Sequence, residues 1–143
     1  MAYKFIDGVT MADIAFEATG KSVEELLESA GNALMNTQVS DLKKIKPKIE
    51  KKLEMKSQNE ERLLHDFLQE LIFLKDAELL LISKYSMKIY RTETGILLKA
   101  VLKGEPIDQM RHEMLVDVKA VSWHLFKVER TGKEWKAFVI IDV

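Results

Sequence analysis

Apolar side chains recur with the spacing of an α-helix in two segments of the chain. The first follows Ser22, which forms a capping-box pattern with Glu25 and so marks a helix start. The second begins near Asn59 and carries Glu60 and Glu61 where the helix dipole favours acids. Each segment has one apolar stripe: Val23, Leu26, Leu27, Ala30, Ala33 and Leu34 in the first, and Leu63, Leu64, Phe67, Leu68, Leu71 and Ile72 in the second. The pattern therefore predicts two amphipathic helices.

Most other patterned segments are typical of β-strands. Residues 12–18 alternate, with Ile14 and Phe16 on one face, and residues 49–55 predict a short, exposed, lysine-rich strand. Four more strands are predicted by "ELLLISKYSMKIY", "GILLKAVLKG", "DVKAVSWHLFKVER" and "WKAFVIIDV", with "RTETG" and "RTGKE" as hairpin turns. These elements predict an α+β fold with two helices packed on one face of a mostly antiparallel sheet.

Length and composition narrow the class of protein. A chain of 143 residues suits a single domain spanning residues 1–143. The absence of cysteine excludes disulfides and thiolate chemistry, and a net charge of −1 announces no nucleic-acid or membrane partner. There is no apolar run of about 20 residues and no signal-peptide pattern in "MAYKFIDGVT", so we expect a cytoplasmic protein.

Two basic or glycine-containing segments resemble phosphate-binding motifs only in part. "ATGKS", which ends at Ser22, has Ala15 where a P-loop requires glycine, and the capping box already explains Ser22. The lysine run of residues 43–56 contains no aromatic residue that could stack on bases. We interpret this run as solvated surface or a charged edge strand, and expect any RNA contact to be indirect or weak.

The histidines show no spacing of a zinc hydrolase. His65 falls on a charged helix face, where a solvated side chain is the ordinary outcome. In the strand that contains His124, the alternation predicts that Val121, Trp123 and Leu125 face the core.

The chain ends in "AFVIIDV", an apolar strand with an acid one position from its end. The side chain of Asp142 and the terminal carboxylate of Val143 carry adjacent like charges, which repel each other. A hard cation relieves this repulsion and prefers such all-oxygen ligands. Asp13, which opens the first predicted strand, is the candidate for a further ligand.

Several segments, in collinear order, resemble the archease family. They are "MADIAFEATGKSVEELLESAGNALMN", "LLHDFLQELIFLKDAELLLISKY", "GEPIDQMRH", "VKAVSWH" and the closing "AFVIIDV". The match covers nearly the whole chain, and its order and the penultimate acid are more specific than any one motif.

The resemblance implies a non-catalytic protein that assists the GTP-dependent RNA ligase of tRNA splicing. The family promotes guanylylation and multiple turnover of that ligase. The resemblance also implies a site for a divalent ion, calcium first and magnesium or manganese as alternatives, built from Asp13, Asp142 and Val143. Lys119 matches a family lysine associated with activation of the ligase.

The sequence also departs from the family pattern. Thr10 and Met11 replace the usual His-Thr, and Val9 replaces an acid, although Asp7 lies nearby. Two other functions remain open. One is a metal-dependent hydrolase of a small phosphorylated substrate. The other is a metal-free interaction module that docks through the apolar side chains of the segment "GEPIDQMRHEML", namely Ile107, Met110, Met114 and Leu115.

Overall fold

The structure, a computed structural model, describes residues 2–8 and 13–143. Within these residues there are two α-helices, one short 3-10 helix and seven β-strands. The helices are α1, Val23–Gln38, and α2, Glu60–Glu78, and the 3-10 helix is Leu42–Lys44. The strands are β1 Ala2–Ile6, β2 Ile14–Gly20, β3 Ile49–Ser57, β4 Leu80–Thr92, β5 Gly95–Pro106, β6 Ala120–Thr131 and β7 Glu134–Asp142.

The strands form two antiparallel sheets, and the predicted α+β class with two helices is confirmed. One sheet has the order β1-β2-β7-β6 and the other the order β3-β5-β4. The β4–β5 and β6–β7 hairpins close at the two predicted turns, the second of which holds Gly132 at a φ of 64°. The sequence pattern predicted neither β1 nor the division of the strands into two sheets.

Both helices begin at the predicted residues and bury the predicted faces. Ser22 Oγ accepts a hydrogen bond from the Glu25 N–H at 3.2 Å, and Asn59 Oδ1 accepts one from the Arg62 N–H at 2.8 Å. All twelve side chains of the two apolar stripes are at most 4% exposed. Each helix contacts strands of both sheets, so one continuous core joins the sheets. No helix in the described ranges is long and apolar enough to cross a membrane.

Side chains of α2 complete the hydrogen bonds along the outer edge of β6. Gln69 Oε1 accepts from the Val121 N–H at 2.8 Å, and His65 Nε2 lies 3.0 Å from the Val121 carbonyl oxygen. Nearer the start of α2, Glu61 Oε2 accepts from the Val128 N–H at 3.2 Å. An edge strand with unpaired backbone groups invites pairing with other chains, and these side chains block such pairing.

The middle of β6 departs from the alternation that the sequence predicts. Val121 is buried as expected, but Trp123 is 53% exposed and Leu125 is 56% exposed, so that part of the prediction was wrong. The pairing with β7 is irregular between Ser122 and Lys127, and Leu125 adopts a φ of 58°. This irregularity interrupts the two-residue period and turns the apolar side chains outward.

The expectation that His65 is a solvated side chain was also wrong. His65 is buried, and its ring stacks on that of Trp123 with the centroids 3.6 Å apart. Burial lowers the pKa of His65, which keeps the ring neutral at neutral pH. The neutral ring then donates to the Val121 carbonyl when its proton is on Nε2.

Replacing Gln69 tests the role of α2 at this edge. Gln69→Leu removes the acceptor for the Val121 N–H, and an unsatisfied buried donor costs about 1–3 kcal/mol. We therefore expect a matching fall in the free energy of unfolding, measured by urea denaturation. Gln69→Glu keeps an acceptor at the same place and serves as the control. Equal losses in both variants would contradict the hydrogen-bonding role.

Candidate functional site

Asp13 and Asp142 lie at the same end of the four-stranded sheet. Ile14 of β2 pairs with Ile141 of β7, and the two aspartates are the next residues outward on these antiparallel strands. Ile141 is part of the core, so the pleat places the neighbouring Asp142 on the opposite face, away from the helices. Both aspartates are partly exposed.

The end of the chain is fixed at this place. Ala120 pairs with Asp142, and the Lys119 N–H donates to the Asp142 carbonyl oxygen at 2.8 Å. The side chain of Val143 packs against the core. These contacts hold the last residues in position, and they bring exposed Lys119 to the same end of the sheet as Asp13 and Asp142.

A depression of about 400 Å³ lies beside Asp13. Asp7 and Gly8 line one part of it, and Asn36 and Thr37 at the end of α1 line another. Asp7 is the acid that the sequence offers in place of the family's missing one, and the structure places it near Asp13 on this depression. Thr10, Met11 and Val9, where the sequence departs from the family, lie outside the described residues.

The oxygen atoms at this end suit a hard cation. Two aspartates and the terminal carboxylate of Val143 would supply three anionic oxygen ligands, which is the donor set that Ca²⁺, Mg²⁺ and Mn²⁺ prefer. Over residues 2–8 and 13–143, no three side chains of His, Cys, Asp or Glu are grouped as metal ligands. The predicted set of ligands therefore includes one group that is not a side chain, the terminal carboxylate of Val143.

The loop between β5 and β6 leads to Lys119 and is fixed by a buried ionic network. Glu105 at the end of β5 is almost fully buried and binds Arg111, the Lys46 N–H at 2.6 Å and His112 Nε2 at 3.1 Å. Burial alone raises the pKa of Glu105, but the hydrogen bonds from Arg111, Lys46 and His112 outweigh it and lower the pKa to about 2.

The other end of the same loop is fixed by Lys75 of α2. Its buried ammonium group donates to Asp117 Oδ1 at 2.6 Å and to the Val118 carbonyl oxygen at 2.8 Å. It also pairs with Asp76. Burial lowers the pKa of Lys75, but the hydrogen bonds that it donates to Asp117 and Asp76 outweigh this effect, so the pKa is raised. The residue just before Lys119 is thus tied to α2.

Between these anchors the apolar side chains of the loop divide into two sets. Ile107 and Met114 pack against the core, whereas Met110 and Leu115 are exposed. The sequence offered all four side chains as a docking surface, and two of them are exposed for that role. It did not signal the network of Glu105, because buried ion pairs depend on side chains that meet only in the folded chain.

The loop network predicts a pH dependence of stability. The folded-state pKa of Glu105, about 2, lies below its ordinary value of 4.5, so the stabilisation is present above pH 4.5 and is lost as the pH falls towards 2. We expect the free energy of urea unfolding to fall across this window in the wild type. Glu105→Gln should lower the free energy of unfolding at pH 7, because it removes the buried carboxylate that accepts from Arg111, the Lys46 N–H and His112.

A matched control is Glu93→Gln in the exposed β4–β5 turn, which should keep the wild-type pH profile. The diagnostic result is a shallower fall between pH 4.5 and 2 in Glu105→Gln than in either other protein. Parallel profiles for all three proteins would rule out Glu105 as the source of the acid sensitivity.

Residues 3–143 match the Archease protein family (MTH1598/TM1083). Proteins named archease from Methanopyrus kandleri and Pyrococcus abyssi are each 35% identical to this chain over 92% of its length and cover 94% and 93% of their own. The solution structure of protein 1598 from Methanobacterium thermoautotrophicum aligns with a TM-score of 0.85 and 33% identity, over 99% of this chain and 98% of that one. An archease and possible chaperone from Thermotoga maritima aligns with a TM-score of 0.63 and 28% identity, over 94% and 93%. The chain belongs to the archease family.

Proposed function

We propose that this chain is a non-catalytic activator of the GTP-dependent RNA ligase of tRNA splicing, acting in the cytoplasm. It promotes guanylylation and multiple turnover of the ligase by docking on it through the end of the four-stranded sheet. The observation that carries the proposal is the placement of Asp13 and Asp142 at that end of the sheet. The backbone N–H of Lys119 donates to the Asp142 carbonyl oxygen at the same place. Membership of the archease family supports the same assignment.

The end of the four-stranded sheet that carries Asp13, Asp142 and Val143, here called the acidic end, is proposed to bind one divalent ion. Calcium is the first candidate, and magnesium and manganese are the alternatives. The carboxylates of Asp13 and Asp142 and the terminal carboxylate of Val143 would hold it. When bound, the ion neutralises these adjacent anions and offers a positive charge to phosphate oxygens of a partner. The packing of Val143 and the pairing of Asp142 with Ala120 support this role, because they keep the ligands in place before an ion arrives.

Lys119 is proposed to contact the ligase. Its backbone is fixed by the bond to Asp142, while its side chain is exposed next to the acidic end. A cation held there attracts an anionic group on the ligase or on the nucleotide bound to it. The exposed Met110 and Leu115 of the preceding loop add apolar surface on the approach to Lys119.

Calorimetry with divalent ions tests the acidic end directly. We expect wild type to bind Ca²⁺ and Asp142→Asn to bind it roughly ten-fold more weakly or worse, because one of three anionic ligands is neutralised. Glu93→Gln removes a carboxylate from a turn of the other sheet and should bind as wild type does. Absence of heat for Ca²⁺, Mg²⁺ and Mn²⁺ would contradict the metal site and favour the metal-free interaction module.

Ligation of a cleaved tRNA by the cognate ligase, with GTP and Mn²⁺ or Mg²⁺, tests the activity. We expect this protein to raise multiple-turnover ligation, Asp142→Asn to lose most of the stimulation and Lys119→Ala to weaken it, with Glu93→Gln as the control. Circular dichroism establishes that each variant is folded. If Asp142→Asn stimulates ligation as strongly as wild type does, the activator role stands, but the acidic end has no part in it.

The same assay also separates the activator from the alternative hydrolase. Ligation that is unchanged by wild type, with an active ligase present, would contradict the activator role. Release of phosphate from small phosphorylated substrates by this protein alone would then favour the metal-dependent hydrolase.

A further inference from the structure

The outer face of the β3-β5-β4 sheet is strongly basic. Buried side chains of β5, such as Leu98 and Leu102, face the helices, so the residues that alternate with them face outward. We call the outward set on the three strands the lysine face; its charged members are Lys52, Lys56, Lys84, Lys88, Lys99, Lys103, Glu50 and Glu54. Six lysines and two glutamates give it a formal charge of +4, although the whole chain has −1.

Two pairs of these lysines are directly opposed across neighbouring strands. Lys84 of β4 pairs with Lys103 of β5, and Lys88 pairs with Lys99. Like charges directly opposite each other destabilise a sheet. Each pair has one acid beside it on β3, Glu50 next to Lys103 and Glu54 next to Lys99, so each row of three side chains keeps a net positive charge.

The charge on this face is only partly balanced from within the protein, because its two glutamates leave an excess of four positive charges. Over the described residues, no carboxylate oxygen lies within 4.0 Å of any of the six ammonium groups. The ion pair that β3 does form, Lys51 with Glu78 at 2.6 Å, is on the other side of the strand. An anionic partner would supply the missing counter-charge for the six outward lysines.

An exposed aromatic ring adjoins the paired lysines. Tyr90 is 46% exposed, and the ammonium group of Lys99 lies 5.9 Å from the centre of its ring. A shallow depression of about 540 Å³ runs over this region, lined by Lys52, Lys88, Lys99, Tyr90 and one acid, Glu54, with the small side chains Ser86 and Val101 between them. Since Ser86 and Val101 are directly opposed, they leave space between the two rows of paired lysines.

We propose that the lysine face binds single-stranded RNA, with phosphates on the lysines and one base stacked on Tyr90. Open sheets that bind single strands combine these two features, a cationic track and an aromatic platform. An acidic protein would need the cations but not the exposed ring. A bilayer would need apolar side chains that enter it, and the large exposed apolar residues Phe73, Met110 and Leu125 lie on other elements.

This face is distinct from the lysine run of residues 43–56, from which only indirect or weak RNA contact was expected. It takes Lys52 and Lys56 from that run and adds four lysines from β4 and β5, together with the aromatic ring that the run lacks. The choice of RNA as the nucleic acid rests on the proposed function. Binding itself is measured without the ligase, so failure of one proposal is distinguishable from failure of the other.

Fluorescence anisotropy with a labelled, unstructured RNA of about 12 nucleotides tests the proposal, since single-strand site sizes are of that order. We expect saturable binding at low salt and a ten-fold or greater loss of affinity in Lys88→Gln/Lys99→Gln. Each lost phosphate contact should reduce the magnitude of the negative slope of log K against log salt by about 0.7. The slope of this double variant should therefore be shallower by about 1.4. Tyr90→Leu should weaken binding about ten-fold.

The matched control is Lys21→Gln/Lys133→Gln, which removes the same charge from exposed lysines at one end of the other sheet, near the pairing of Gly20 with Trp135. It should bind RNA like the wild type. Thermal unfolding of Lys88→Gln/Lys99→Gln should give an unchanged or higher Tm, because a repulsive pair is removed. Equal losses of affinity in the two double variants would overturn the proposal.

Two further results would also overturn it. One is the absence of saturable RNA binding by the wild type at low salt. The other is binding of polyglutamate, or of vesicles containing phosphatidylserine, that depends on Lys88 and Lys99 while RNA binding does not. The first of these ligands would identify an acidic protein partner, and the second a membrane surface.

Discussion

The contact between α2 and the free edge of β6 is the constraint on which the rest of the structure depends. A helix cannot pair with a strand through its backbone, so polar side chains along α2 supply the hydrogen-bond partners that a neighbouring strand would otherwise provide. Glu61, Gln69 and Lys75 reach Val128, Val121 and Val118 respectively. Because α2 also packs on the β3-β5-β4 sheet, this contact fixes the two sheets relative to one helix. Because β6 pairs with β7, the same contact also fixes the last residues of β7, which belong to the acidic end.

The features that the sequence predicted correctly are those that depend on short-range interactions. The caps at Ser22 and Asn59 act within one turn of their own helices, and the apolar stripes repeat at short range, so both were predicted correctly. The division into two sheets was not predictable, because it depends on β2 pairing with β7 across more than a hundred residues. Short β1 carries too few alternating positions to stand out from a loop.

The errors in β6 have one physical source. Alternation predicts a buried side chain only while the strand keeps its register, and the irregular pairing after Ser122 breaks that condition. Trp123 then leaves the core and covers the ring of His65, which explains why a histidine on a charged helix is buried. The register of β2 and β7 brings Asp13 and Asp142 to one end of the four-stranded sheet, as the predicted site requires. Ion binding at that place stays a prediction.

The acid beside the chain end has a structural explanation in the order of the three strands. Asp142 continues β7 between the start of β2 and the start of β6, where a neighbour on each side fixes it. An acid at a frayed end would lose its position. Pairing with Ala120 and the packing of Val143 against the core therefore keep Asp142 at an ordered place. The lysine face collects positive charge on the other sheet, so a chain of nearly zero net charge presents two surfaces of opposite sign. Under the two proposals, one surface serves the ligase and the other serves its RNA.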